Sequence, residues 1–234
     1  MSLLPKKARE KADPARYAIQ GFIERAASEI PEGALVLDAG AGNGRYRPFF
    51  TRQKYIAADF CRVADKNYKR MDIVTDLTEM SLKDNSVDAV INIQVLEHVP
   101  DPMKLVRELS RVLKHGGTLY LSCPQGWGVH EAPYDYYRFT NFALQDIFTG
   151  AGLAVDYIKP KGGYFCLLGK LISRLPYQVD KPEKGALNKV VYKAAFTVLK
   201  EVFCYWVPYV LVHLDFIDTK KDFTIGYLCR ATKP

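Results

Sequence analysis

The feature that most constrains this chain is an alternation. Between Ala34 and Pro160, short apolar runs (ALVLDA, YIAADF, MDIVTDL, SVDAVINIQ, TLYLSC and LAVDYIKP) are separated by glycine-rich, polar or helix-patterned text. Runs of this length bounded by turn residues read as buried strands, and strands alternating with helices imply parallel pairing through right-handed crossovers. The expected fold is α/β, a doubly wound sheet with helices on both faces. Ligands of such sheets bind beyond the carboxyl ends of the strands, where the strand order reverses. That rule makes candidates of the acids that close the first two runs, Asp38 and Asp59.

The punctuation supports this reading. Asp13-Pro14 predicts a helix start, with an N-cap acid and proline in the first turn, and Tyr17, Ile19, Phe22, Ile23, Ala26 and Ile30 recur at helical spacing before Pro31-Glu32-Gly33. Asp101-Pro102 predicts another, with Leu105, Leu109, Val112 and Leu113 on one side and His115-Gly116-Gly117 at its end, and Thr140 caps a third. Four segments follow: an N-terminal helical segment (1–32), a ligand-binding core (33–160), a helical, apolar-rich insert (161–221) and a final strand (222–234).

Charge separates the insert from the core. The chain carries +7 overall, yet residues 1–158 hold 20 Lys and Arg against 20 Asp and Glu, whereas Lys159 onward holds 13 against 6. In the insert, Lys189, Lys193 and Lys200 fall on one helical side, and Val190, Val191, Phe196, Val198, Leu199 and Phe203 occupy most of the rest. The run from Val202 to Leu214 is shorter than the roughly 20 residues a spanning helix needs, and Pro208 is expected to interrupt it. Two readings of 161–221 stay open: a lid or dimer partner, or an amphipathic element in peripheral contact with anionic lipid. Five scattered cysteines without a C-x-x-C pair suggest neither a disulfide framework nor a zinc site, and the N-terminus lacks the apolar core of a signal peptide. A cytoplasmic protein is expected, with localisation at the inner face of a membrane under the second reading.

The loop VLDAGAGNGRY decides the ligand class. A glycine turn between strand and helix lets a ligand approach the backbone, but Gly40, Gly42 and Gly44 are spaced two apart and Arg45 stands where a dinucleotide fingerprint needs a small residue. Asp38 beside the loop suits a ligand with a cationic amino-acid end. With AADF, TDL, QVLEHVPDP, RVLKHGGTLYLS and HEAPYDYYRFT in this order, the chain resembles class I S-adenosylmethionine-dependent methyltransferases, specifically the type 11 subgroup. The resemblance implies a Rossmann-like sheet of seven strands, six parallel and the seventh antiparallel, with S-adenosylmethionine as cofactor. It also implies that Gly40, Gly42 and Asn43 pass under the methionine part and Asp38 binds near its ammonium. Asp59 with Phe60 would take the ribose, Asp76 and Leu77 the adenine, and Gln94 would line the cofactor by its backbone.

The candidates for the reaction lie in two places. His130, Asp135 and Arg138 share a loop after the fifth strand, at the cofactor end of the sheet, and His98 lies in LEHVPDP. His130 is the preferred general base or acceptor ligand. Similar quinone-biosynthesis O-methyltransferases use a glutamate three residues before the Glu-His pair in a magnesium site; Gln94 stands there in this chain, and no metal is expected. The expected activity is methyl transfer to a small-molecule, glycan or lipid-linked acceptor at oxygen. Two rivals remain: an RNA methyltransferase, not favoured because INIQVLEH lacks the Asn/Asp-Pro-Pro-aromatic signature, and a cofactor-binding partner protein without turnover.

Overall fold

The computed structural model describes residues 3–61, 68, 71–178 and 186–234; the side chains of 186–190 are outside the description, and so are the expectations placed on Lys189 and Val190. Two compact units emerge. A core unit comprises residues 21–159 and 226–234, and a helical unit comprises residues 1–20 and 160–225.

The core unit holds one seven-stranded sheet. Its strands are β1 (Leu35–Ala39), β2 (Lys54–Asp59), β3 (Ile73–Val74), β4 (Val87–Ile93), β5 (Leu113–Pro124), β6 (Ala154–Pro160) and β7 (Gly226–Thr232), in the order 3-2-1-4-5-7-6. β1 pairs in parallel with β2 and β4, β2 with β3, and β4 with β5, while β7 is antiparallel to β5. Between β1 and β4 the strand order reverses, the point at which such sheets open a crevice.

Period-two alternation assigns the two sheet faces. Leu37 and Ala39, Val90, and Leu119 and Leu121 join Leu105, Leu109, Leu144 and Phe148 in one buried cluster. The last four belong to helices α3 (Pro102–Val112) and α4 (Asn141–Gly150), which therefore cover that face. Tyr120 points the other way and meets Phe22 edge-on at 5.8 Å, on the second half of α2 (Pro14–Glu29). Both helix starts are capped as the sequence predicts. Asp101 Oδ1 accepts from Lys104 N–H at 2.8 Å, and Thr140 Oγ1 accepts from Ala143 N–H at 3.2 Å.

The structure departs from the sequence reading after β1. No α-helix follows the glycine loop; the chain turns through Gly40, Gly42 and Gly44, all at positive φ, and makes only a 3₁₀ turn over Arg47–Phe49 with Pro48 in it. Three left-handed glycines and a proline within nine residues leave no length for an α-helix before β2.

The helical unit contains α1 (Lys6–Lys11), α5 (Tyr164–Ile172), α6 (Ala186–Glu201) and α7 (Val207–Leu214). Asp215 fixes the start of α5: its carboxylate accepts from the Gly163 and Cys166 N–H groups at about 3.0 Å and pairs with Lys221 Nζ at 2.6 Å. Pro208 does not interrupt the last helix. A π-helical turn over Val202–Trp206 joins α6 to α7, and its wider winding accommodates a residue that has no N–H to donate.

Candidate functional site

The crevice at the switch point is built by the ends of β1, β2 and β4. Gly40 and Ala41 both donate backbone N–H to the Ala58 carbonyl, at 2.8 and 3.1 Å, which folds the loop back over β2. Asp59 closes this turn: Oδ2 accepts from Gly42 N–H at 2.9 Å and Oδ1 from Cys61 N–H at 2.8 Å. Gly40 is required twice over, because its φ is +94° and a Cβ there would stand 2.2 Å from Val95 Cγ2. At Gly42 a Cβ would meet nothing within 4 Å, so the backbone faces open space.

The cleft encloses about 370 Å³, the size of a small-molecule site. Of the residues predicted from sequence, Gly40, Gly42, Asp59, Phe60, Asp76, Leu77, Gln94 and His98 line it. Asp76 shapes its own corner, accepting from both the N–H and the hydroxyl of Thr78 at 2.8 Å. Gln94 adopts positive φ (57°) and donates its N–H to the Ser122 carbonyl at 2.7 Å, tying the end of β4 to β5. Glu131 and Tyr134, of the HEAPYDYYRFT loop the sequence singled out, also line the cleft, together with Tyr68, Thr78, Val95 and Lys104, which the sequence reading missed.

Asp38 and Asn43 are not among the lining residues. Asn43 is exposed, whereas Asp38 is 1% exposed inside β1, where the Tyr55 hydroxyl donates to Oδ2 and Oδ1 has no hydrogen-bond partner. Burial chiefly, with the neighbouring Asp59 carboxylate adding to it, pushes the Asp38 pKa up to about 7 against the Tyr55 bond and the Arg47 charge. Period two explains the placement: Asp38 shares its side of β1 with buried Val36, so its side chain projects from the sheet face opposite Leu37 and Ala39.

The loop after β5 is held by one guanidinium. Arg138 pairs in a two-pronged manner with Asp135 at 2.7 Å on each oxygen and donates further to the carbonyls of Trp127, Gly128 and Tyr137 at 2.7 to 2.9 Å. These bonds hold the Asp135 carboxyl well below the usual carboxylate range. Neither side chain lines the cleft; Asp135 also accepts from His130 N–H at 2.9 Å and lies 3.3 Å from His130 Nδ1. His130 itself does not line the cleft but meets the ring of His98 edge-on at 4.7 Å. His98 Nδ1 is 2.6 Å from the Tyr134 carbonyl, which directs Nε2 away from it. Burial lowers the His98 pKa, keeping the imidazole neutral at pH 7.

Glu97, His98 and His130 could hold a metal ion, for their ligand atoms lie within 4.8 Å of one another. Two imidazoles and one carboxylate suit zinc or a similar borderline ion, whereas magnesium prefers oxygen. The donor set therefore does not fit the magnesium site of the quinone-biosynthesis enzymes.

Comparison with known proteins agrees with this architecture. Residues 37–121 match the family described as a methyltransferase domain. A Mycobacterium tuberculosis protein named as a probable S-adenosylmethionine-dependent methyltransferase is 38% identical over 96 residues, covering 38% of this chain and 35% of the relative. A ubiquinone biosynthesis O-methyltransferase of Xanthomonas campestris is 34% identical over 102 residues, covering 38% of this chain and 43% of the relative. The chain thus spans between a third and a half of the length of these curated relatives. In fold it is similar to 1,6-didemethyltoxoflavin-N1-methyltransferase of Burkholderia thailandensis, solved with S-adenosylhomocysteine, at a TM-score of 0.55 and 16% identity over 92% of this chain and 78% of the other. The sheet order, the glycine turn closed by Asp59 and the match across β1 to β5 agree: residues 37–121 are similar to the methyltransferase domain family, and the sheet has the fold of the Rossmann-like methyltransferases.

Proposed function

We propose that the protein transfers a methyl group from S-adenosylmethionine to a hydroxyl of a small-molecule, glycan or lipid-linked acceptor. The carrying observation is one cleft with two chemically different ends: Asp59, Asp76 and Leu77 beside a bare glycine turn, and a neutral imidazole, His98, backed by His130. The residues fit the donor. The open space over Gly42 would leave room for the methionine backbone, the Asp59 and Asp76 carboxylates that line the cleft would serve the ribose hydroxyls and the adenine amino group, and Leu77 would offer the base an apolar contact. Held there, S-adenosylmethionine would supply an electrophilic methyl carbon on a positively charged sulfur, which would leave with the C–S electron pair.

The chain's own residues align the acceptor and take its proton. In-line displacement rewards alignment above all. The Asp135–Arg138 clamp and the Glu97 carbonyl, which accepts from the Tyr136 and Tyr137 N–H groups at 2.9 and 3.3 Å, fix the loop that carries His130. His130, relayed by or adjoining His98, takes the hydroxyl proton as the oxygen–carbon bond forms. The name of the Xanthomonas relative, an O-methyltransferase, supports oxygen as the acceptor atom.

The test is transfer of labelled methyl from S-adenosylmethionine into aqueous and lipid fractions of a cell extract. Labelling of a fraction, with kcat lowered about a hundredfold by His130→Ala at unchanged donor affinity, is the expected result. Absence of label in every fraction overturns the reading, and parental turnover in His130→Ala removes the base.

A further inference from the structure

The helical unit carries a surface that methyl transfer does not use. From Val191 to Ile217 the chain forms a helix of 27 residues with a mean hydropathy of 1.4 in its most apolar window, long and apolar enough to cross a membrane, and only 6% of that window is buried. The exposure is organised. Val191, Val198, Val202, Trp206, Val210 and Ile217 are each between 38 and 63% exposed, and they recur at steps of four or seven residues.

In an ideal α-helix a row of four-residue steps drifts about 40° per step. The π-helical turn over Val202–Trp206 winds more slowly and takes that drift back, so the residues on either side of it stay in line. The result is one apolar stripe along the whole helix. Its opposite side is occupied: a Cβ at Gly169 of α5 would stand 3.2 Å from Pro208 Cα, and Pro208 is buried. A helix packed on one side and open along the other can lie along a bilayer surface.

Charge identifies the surface. Residues 1–20 and 160–225, the helical unit, hold 15 Lys and Arg against 8 Asp and Glu, whereas the core unit holds 18 against 18. The entire excess of positive charge lies in the unit that bears the exposed stripe. Apolar side chains with a tryptophan among them, on a cationic body, suit the boundary between headgroups and acyl chains of an anionic bilayer.

We propose that this stripe is a membrane-docking face, laying the helix along the surface of a bilayer containing anionic lipid. The proposal is independent of which acceptor is methylated. It is tested with the full chain by flotation with vesicles of phosphatidylcholine alone or with about one-third phosphatidylglycerol. Binding to the anionic vesicles at least about tenfold tighter than to the neutral ones, weakened by salt, is expected. Val202→Asp with Trp206→Asp should lose it by more than about tenfold while S-adenosylhomocysteine affinity, a property of the core unit, is kept. A second readout needs no charged variant: in a Trp127→Phe background Trp206 is the single tryptophan, and its emission should shift to shorter wavelength on adding anionic vesicles. Parental protein that ignores both vesicles at low salt overturns the proposal. So does a stripe that pairs two copies of the chain, seen as self-association abolished by the same variants with no vesicle binding.

Discussion

Asp38→Asn isolates the cost of a buried acid. Asp38 is 1% exposed, its Oδ1 is unpartnered, and its pKa is raised from 3.8 to about 7, mainly by burial. For a carboxyl whose folded pKa exceeds its unfolded value, the stability tied to the protonated form is fully present below about pH 3.8 and is lost as pH rises through about 7. The loss amounts to about 4 kcal/mol once the group is ionised. Asparagine can accept the same Tyr55 bond but cannot ionise. Urea denaturation of both proteins from pH 4.5 to pH 8, followed by circular dichroism, should therefore show the variant gaining on the parent as pH rises, by a few kcal/mol in all. A difference between the two that does not change with pH refutes the reasoning.

Two further substitutions probe the two ends of the site. Gly40→Ala combines a left-handed backbone with a Cβ 2.2 Å from Val95 Cγ2, so it should cost about 2 kcal/mol of stability in thermal unfolding and weaken donor binding about tenfold or more in calorimetry. Arg138→Lys keeps the charge but cannot serve Asp135 and three carbonyls together; a loss of about 2 kcal/mol is expected, with kcat falling more than donor affinity.

Much of the core was legible because its physics is local. Short apolar runs bounded by turn residues gave β1, β2, β4, β5 and β6, and Asp101 and Thr140 became the caps their positions predicted. Eight of the expected site residues, Gly40 through His98, converge on one cleft because the strands that carry them end at the same switch point. What failed depended on direction or on length. Asp38 was placed correctly on β1, but its side chain is buried on one sheet face and not among the cleft lining, and Tyr55, a partner 17 residues away, meets it there. The helix expected after the glycine loop lost to glycine and proline content. Pro208 was expected to stop a helix, and a π-helical turn absorbed it; that outcome depends on packing against α5, which the local sequence does not announce. The loop from Pro124 to Phe139 yielded His130 as a candidate, but that Arg138 is the loop's clamp became visible only with its five bonds in place.

The central claim is that the cleft between β1 and β4 holds the methyl donor, and calorimetric titration of the chain with S-adenosylmethionine tests it most directly. Saturable binding at one site, displaced by S-adenosylhomocysteine and weakened about tenfold or more when Asp59→Asn removes the acceptor for Gly42 or Cys61 N–H, is predicted. No saturable binding, or binding indifferent to Asp59→Asn, would contradict the account.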